Sequence, residues 1–198
     1  MLALIMAGGE GSRLNLGEKP LVQVGGQPMI AHVIDAFRSF GSDVVVVASR
    51  KTPMTQNWCR VTGTDLFCAG GRGYIEDMVS AVSDLHETGP LFISVSDIPC
   101  LNPQIIALVD AEYRKSGKDA CSTWVPLSLI RSPRDTDYIE KVNGVPACPA
   151  GVNILRGGLI GQPQEELRLL LQEPRLGHNV NTRSDLAYVN SFFRKKVP

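Results

Sequence analysis

The sequence lacks a net charge and a long apolar run, its start is not expected to be a signal peptide, and each of these features argues against a class of protein. Basic and acidic residues number 20 each, so the formal net charge is +0, whereas nucleic-acid binders usually carry a basic excess. No apolar run approaches the roughly 18 residues that a transmembrane helix needs. The apolar start, Met1 to Met6, is short and lacks a basic n-region. We therefore expect a cytoplasmic protein with no nucleic-acid partner and no membrane insertion.

The cysteines and histidines also fail to form familiar sites. The five cysteines stand at positions 59, 68, 100, 121 and 148, without a C-x-x-C pair, and the odd number argues against a disulfide framework. We expect small, buried, reduced thiols, as suits a reducing cytoplasm. None of His32, His86 and His178 has an evident triad partner, so Ser-His-Asp or Cys-His catalysis has no support.

Apolar segments alternate with helical patterns along the 198 residues, which predicts a single α/β domain over residues 1–198. Such alternation favours a mostly parallel sheet with helices on both faces, a three-layer α/β/α arrangement. Ligands of these sheets bind beyond the carboxyl ends of the strands, here the loops after Met6, Ala69 and Val95. Strands are predicted at 2–7, 43–49, 66–69, 91–96, 120–125 and 151–155, and helices at 28–40, 74–86, 103–115, 165–172 and from 182 onward.

Residues 127–149 interrupt this alternation. The segment contains Pro133, Pro146 and Pro149, and an Asn143-Gly144 pair separates two short runs. Asn-Gly in that setting predicts a tight hairpin. We interpret 127–149 as an insertion over the site rather than as a second domain.

The strongest functional signal is a glycine-rich segment directly after the first predicted strand. Glycine amides at such a position cradle phosphate oxygens, and basic side chains add charge. The dinucleotide fingerprint fails because Leu14 replaces its third glycine, and no P-loop Gly-Lys-Ser/Thr follows. A plain glycine turn is the weaker interpretation. The segment comprises Ala7, Gly8, Gly9, Glu10 and Gly11, followed by Arg13 and Lys19.

A second signal is Asp97, which ends the strand predicted at 91–96. A carboxylate at the carboxyl end of a strand, facing the glycine loop, is well placed to hold Mg²⁺ against triphosphate oxygens. An Asx turn or a cap ahead of Pro103 explains the same residue. The glycine loop favours the metal.

Two further segments have both a functional and a structural interpretation. Residues 70–77 follow a strand and open a helix, so Gly71, Gly73, Tyr74 and Asp77 are candidates to meet a base and ribose, although Asp77 equally suits a helix N-terminus. Gly151 permits close approach of a substrate. Asn179 and Asn181 offer neutral ligands or form turns, while Thr182 with Asp185 three residues on is a helix-capping pattern.

Taken together, these motifs resemble the MobA-like nucleotidyltransferases. That family includes molybdenum cofactor guanylyltransferases, sugar-nucleotide pyrophosphorylases and adenosylcobinamide-phosphate guanylyltransferases. The glycine loop and Asp97 match the family as a whole, whereas segments 71–78, 149–153 and 179–182 are most similar to the last group. The resemblance implies a Rossmann-like nucleotidyltransferase fold. It also implies transfer of GMP from GTP to adenosylcobinamide phosphate, with release of pyrophosphate, in archaeal cobalamin synthesis.

The resemblance further implies residue roles. Arg13, Lys19, Asp97 and Asn181 would be catalytic, with Mg²⁺ held by Asp97 and Asn181. Segment 127–149 would face the corrinoid acceptor. A pterin phosphate acceptor, a sugar-1-phosphate acceptor and a non-catalytic nucleotide-binding regulator stay open, as does a homodimer. The nucleotide would be bound by Ala7, Gly8, Gly9, Glu10, Gly11, Lys19, Gly71, Gly73, Tyr74, Asp77, Asp97, Gly151 and Asn179.

Overall fold

The computed structural model describes residues 1–9, 11, 14–130 and 138–194. The strands in these ranges are β1 (Ala3–Met6), β2 (Gln23–Val24), β3 (Gln27–Pro28), β4 (Val44–Ser49), β5 (Asp65–Ala69), β6 (Pro90–Val95), β7 (Ala120–Pro126), β8 (Glu140–Val142), β9 (Val145–Pro149), β10 (Val152–Arg156) and β11 (Glu166–Leu170). The helices are α1 (Met29–Phe40), α2 (Pro53–Thr62), α3 (Tyr74–Asp84), α4 (Pro103–Ser116) and α5 (Arg183–Arg194).

A mixed, mostly parallel sheet forms the centre of the fold. Its strand order is β5-β4-β1-β6-β10-β7-β9-β8, with β11 also paired to β7. The four strands β5, β4, β1 and β6 are mutually parallel, whereas β10 runs antiparallel to both β6 and β7. The carboxyl ends of the four parallel strands therefore meet at one edge, which is where a ligand site is expected.

Helices cover both faces of the sheet because the parallel strands bury side chains on each side. Ala3 and Ile5 of β1 face a cluster with α1, α2 and α4, whose largest members include Phe37 and Phe92. Leu4 and Met6 face the opposite cluster, built with α3. The predicted three-layer α/β/α class is thus confirmed. No helix within the described ranges combines the length and the apolar composition that a bilayer crossing demands.

The C-terminal helix α5 packs against the segment that follows the glycine loop. Leu14, Val22 and Val24 form a separate buried cluster with Val180 and Val189. The backbone amide of Gly25, in the β2–β3 turn, donates a hydrogen bond of 2.8 Å to the Asn190 side-chain oxygen. This packing brings the last part of the chain next to the first.

Most predicted elements are confirmed, including the hairpin. Asn143 and Gly144 both have positive φ, 52° and 80°, as a type I′ turn requires. The hairpin β8–β9 joins the central sheet through β7. Its position over an acceptor stays a prediction, and residues 131–137 of the segment lie outside the described part of the chain.

Two elements differ from the sequence analysis. The helix predicted at 165–172 is wrong: Glu166–Leu170 is strand β11, paired in parallel with β7. Its leucines and glutamates are good helix formers, but β7 offers an edge that this segment pairs with, and tertiary pairing overrides the weak local propensity. Helix α2 was not predicted, although Pro53 at its start and Gly63 after its end are typical helix boundaries.

The thiols follow the expectation in part. Cys59, Cys121 and Cys148 are buried and, like the other two cysteines, outside any disulfide, whereas Cys68 is exposed. Burial raises the pKa of Cys59 to about 11 and that of Cys121 to about 12. The thiols of Cys59 and Cys121 are therefore protonated at neutral pH.

Substitutions on α4 test the layer packing. Ile106 is fully buried against the sheet, whereas Leu108 on the same helix is 48% exposed. We expect Ile106→Ala to lower the free energy of unfolding by about 2–5 kcal/mol, because it leaves a cavity. Leu108→Ala serves as the matched control and should cost less than about 1 kcal/mol. Urea unfolding of the two variants measures both values, and equal losses would contradict the packing described here.

Candidate active site

A cavity of about 390 Å³ opens at the carboxyl ends of the parallel strands. The loops after Met6 and Val95 and the loop at 71–74 all contribute to its wall, as the strand-end rule indicated. Glu10 and Arg13 lie outside the described residues, and Gly151, Asn179 and Asn181 are not part of the wall. The predicted nucleotide-binding residues that line it are Ala7, Gly8, Gly9, Gly11, Lys19, Gly71, Gly73, Tyr74, Asp77 and Asp97.

Three of the predicted catalytic residues meet at one side of this cavity. The Lys19 ammonium donates to Oδ2 of Asp97 in a short ion pair, and to Oδ1 of Asn181 at 2.8 Å. The side chains of Lys19 and Asp97 are each 16% exposed. A partly desolvated pair of this kind is held more firmly than a surface pair, because water competes less with it.

The second carboxylate oxygen of Asp97 is different. Oδ1 is buried and has no hydrogen-bond partner within the described part of the chain. The backbone oxygen of Asp97 accepts from the amide of Val180 at 3.0 Å, which ties the aspartate to the segment carrying Asn181. A buried carboxylate oxygen with no partner is energetically costly and therefore points to a cation or a donor that completes it.

The backbone around Lys19 is held on two sides. Gly11 has a φ of +62°, and a Cβ there would lie 2.4 Å from Cβ of Lys19, so the glycine is needed for this close approach. Both carboxylate oxygens of Glu18 accept hydrogen bonds at the start of α2: from the amide of Met54 at 2.7 Å, and from the amide and hydroxyl of Thr55 at 2.6 Å each. Glu18 thus caps α2 and anchors its neighbour Lys19.

The glycine loop presents its backbone to the cavity. The carbonyl of Gly8 accepts a 2.7 Å hydrogen bond from the fully buried hydroxyl of Ser49, which fixes the loop to the end of β4. None of Gly8, Gly9 and Gly11 donates its amide hydrogen to another residue in the described ranges. Such unengaged amides beside a lysine form an anion-binding wall.

The loop at 71–73 is organised by Asp77. Its Oδ1 accepts from the amides of Gly71 and Arg72, at 3.0 and 3.2 Å, so one oxygen of this carboxylate shapes the loop. Desolvation, and secondarily the charge of Asp97, raises the pKa of Tyr74 to about 12. The phenol is therefore protonated at neutral pH and available as a hydrogen-bond donor.

The C-terminal motif has an internal scaffold as well. Oδ2 of Asp185 accepts from the amides of Asn181 and Thr182, at 3.2 and 2.9 Å, and the amide of Asp185 donates to the Thr182 hydroxyl at 3.2 Å. This reciprocal cap confirms the predicted start of α5. Asp185 thereby fixes the backbone that presents Asn181 to Lys19.

The contact of Gly151 with Val95 explains why a glycine stands at position 151. Its φ is +81°, and a Cβ would lie 2.5 Å from Cγ2 of Val95, the residue that ends β6. The Gly151 carbonyl accepts from the Val95 amide at 2.9 Å. Position 151 therefore requires a glycine because of Val95. Asn179, two residues before Asn181, is half-buried.

Four residues of this region were not predicted as site residues from the sequence. Lys51 and Arg72 line the cavity and add positive charge, while Ser49 and Glu18 hold the loops in place. The strand-end rule applied to β4, as it was to its neighbours, would have identified Ser49 and Lys51. Glu18 has no comparable local signal, because its partner helix lies 36 residues further along.

Comparisons with known proteins identify the family and the fold. A family model described as the MobA-like NTP transferase domain matches residues 3–130. The chain is 29% identical to the adenosylcobinamide-phosphate guanylyltransferase of Methanocaldococcus jannaschii, over 98% of both chains. It is 31% identical to a molybdenum cofactor guanylyltransferase of Desulfosudis oleivorans, over 92% of this chain and 91% of that one. A solved CMP:2-keto-3-deoxy-manno-octonic acid synthetase complexed with CTP shares the fold, with a TM-score of 0.74 at 14% identity over 99% of each chain.

The anchoring role of Glu18 generates a prediction. Glu18→Gln keeps the size of the side chain but removes the charge at the start of α2 and turns an amide group toward N–H donors. We expect the free energy of unfolding to fall by about 1–2 kcal/mol. Glu112→Gln, at an exposed pair with Lys115, is the control and should change it by less than about 0.5 kcal/mol. Urea unfolding distinguishes the two, and a Glu18 variant as stable as the control would refute the capping role.

Proposed function

Since this chain is a nucleotidyltransferase that belongs to the MobA-like NTP transferase domain family, we propose that it transfers GMP from GTP to adenosylcobinamide phosphate. The products are adenosylcobinamide-GDP and pyrophosphate. The observation that carries the proposal is the convergence of Lys19, Asp97 and Asn181 beside a glycine loop with unengaged amides. That arrangement suits a bound triphosphate.

The acceptor is inferred from the extent of the similarity. The relative from Methanocaldococcus jannaschii aligns over 98% of both chains, so the similarity includes the C-terminal segments as well as the nucleotide half. The segments at 71–78, 149–153 and 179–182 are the ones that resemble adenosylcobinamide-phosphate guanylyltransferases most. Adenosylcobinamide phosphate is therefore the first acceptor to test.

The proposed step is an in-line displacement. An oxygen of the acceptor phosphate attacks the α-phosphorus of GTP and forms a new P–O bond, while the bond from that phosphorus to the bridging oxygen breaks and pyrophosphate leaves. A phosphate nucleophile is already deprotonated near neutral pH, so no general base is required. Catalysis then consists of positioning and charge neutralisation, which the loop amides, Lys19 and Arg13 supply.

The donor atoms present fit a magnesium ion. Mg²⁺ prefers oxygen ligands and keeps several from water and substrate phosphates. Asp97 offers a carboxylate with one unpartnered buried oxygen, and Asn181 offers an amide oxygen. No cluster of three or more His, Cys, Asp or Glu side chains occurs in the described ranges, so phosphate oxygens would complete the shell. When bound, the ion would neutralise charge on the triphosphate.

A second acceptor has support of its own. The relative from Desulfosudis oleivorans, 31% identical over nearly its whole length, is a molybdenum cofactor guanylyltransferase. A pterin phosphate would present the same reacting group, because in both reactions a phosphate monoester attacks the α-phosphorus of GTP.

One assay distinguishes the possible acceptors from one another and from a non-catalytic role. The protein is incubated with Mg²⁺, each of the four NTPs, and adenosylcobinamide phosphate, molybdopterin or a sugar 1-phosphate, and pyrophosphate is measured. We expect release with GTP and the corrinoid. Release confined to molybdopterin would establish the alternative function, and release confined to the sugar 1-phosphate would refute the corrinoid acceptor. If none of the three acceptors gave pyrophosphate, the protein would be a nucleotide-binding regulator.

The role of Asp97 is tested separately. Asp97→Asn removes the charge while preserving shape, and we expect turnover to fall at least about 100-fold, since charge stabilisation at a reacting phosphate is worth this much. Asp110→Asn, at a surface pair with Arg114 on α4, is the matched control and should keep full turnover. Unchanged turnover in the Asp97 variant would remove this residue from the mechanism.

A further inference from the structure

The Lys19 ammonium contacts the same two side chains, Asp97 and Asn181, that the proposed function gives to the metal. It donates to Oδ2 of Asp97, a residue that lines the cavity, and to Oδ1 of Asn181. Of the two carboxylate oxygens of Asp97, Oδ1 has no hydrogen-bond partner in the described part of the chain. Lys19 and a divalent cation therefore compete for one carboxylate group and one amide oxygen.

The Lys19 ammonium and a divalent cation cannot both be bound by Asp97 and Asn181 at the same time. Each is positive, and their mutual repulsion in a partly buried site is weakly screened. No further cluster of ligating side chains stands ready to bind the metal by itself in the described ranges. Asp97 and Asn181 are too few ligands for Mg²⁺ unless phosphate oxygens are added.

The Lys19 side chain has a fixed base and a flexible stem, so its ammonium can move from the Asp97 carboxylate to a bound triphosphate. Its Cβ is packed against Gly11, and the preceding Glu18 is hydrogen-bonded to α2, so the base of the side chain is fixed. The four-carbon stem beyond it is flexible and ends in a compact charge. A triphosphate along the glycine loop would offer this charge several anionic oxygens in place of one carboxylate.

The geometry points to Lys19 as a placeholder for the metal. In the nucleotide-free protein its ammonium occupies the cation position, and the arriving triphosphate draws it away, so that Asp97 and Asn181 become free for a divalent cation. The metal therefore enters with the nucleotide and not before it. This inference rests on the proposed function, because it assumes that Asp97 and Asn181 are the metal ligands.

Mn²⁺ binding to the nucleotide-free protein tests the inference. The free-ion electron paramagnetic resonance signal reports binding, and thermal unfolding with and without Mn²⁺ reports stabilisation by a bound ligand. Wild type should bind weakly and show no rise in Tm. Lys19→Met leaves the Asp97 charge uncompensated, so it should bind Mn²⁺ at least about 10-fold more tightly and gain stability on binding.

Controls locate the effect. Lys115→Met, on a side chain that is 79% exposed, should behave as wild type, and Lys19→Met combined with Asp97→Asn should lose the gained affinity. Lys19→Ala replaces Lys19→Met if the latter fails to fold. Equal Mn²⁺ affinity of wild type and both Lys19 variants would overturn the placeholder role.

The proposed function can fail independently of this. If Lys19→Met binds Mn²⁺ more tightly but Asp97→Asn retains full transferase turnover, the metal role in catalysis is wrong while the exchange of cations stands. If wild type and the Lys19 variants bind Mn²⁺ equally and Asp97→Asn is inactive, the placeholder role is wrong and the proposed catalytic role stands.

Discussion

The contact of the Lys19 ammonium with Asp97 and Asn181 is the interaction on which the site depends. It joins the segment after the glycine loop to the end of β6, 78 residues away, and to the start of α5, 162 residues away. A charge pair that is mostly removed from water is costly to break on one side, because the remaining charge has no compensation. Much of the surrounding structure accordingly holds one of these three residues in place.

The supports are local and of different kinds. Glu18 fixes the backbone next to Lys19 by capping α2, Asp185 fixes the backbone of Asn181 by capping α5, and the carbonyl of Asp97 accepts from Val180. Each support uses a backbone amide at a helix start or loop, where donors are otherwise unsatisfied. The geometry of the site thus depends on backbone amides that need a hydrogen-bond acceptor whether or not a site is present.

The elements that the sequence predicted well are those with a strong local pattern. The four valines of β4 and the apolar face of α1 identify a buried strand and a half-buried helix without knowledge of their partners. Strand β11 was misjudged, because its leucines suit either structure and its pairing with β7 comes from elsewhere in the chain. Glu18 was missed for the same reason, since its function depends on a helix that is distant in sequence.

The sequence by itself determined that a glycine loop follows a buried strand, that Asp97 ends another, and that both belong at the same edge of a parallel sheet. These conclusions rest on residue type and short-range spacing, which the local backbone obeys. The tertiary structure decided that Lys19 contacts both Asp97 and Asn181, that Asp77 turns one oxygen to its own loop, and that Gly151 faces Val95. Such pairings depend on which chain segments the packing brings together, and no local pattern encodes them.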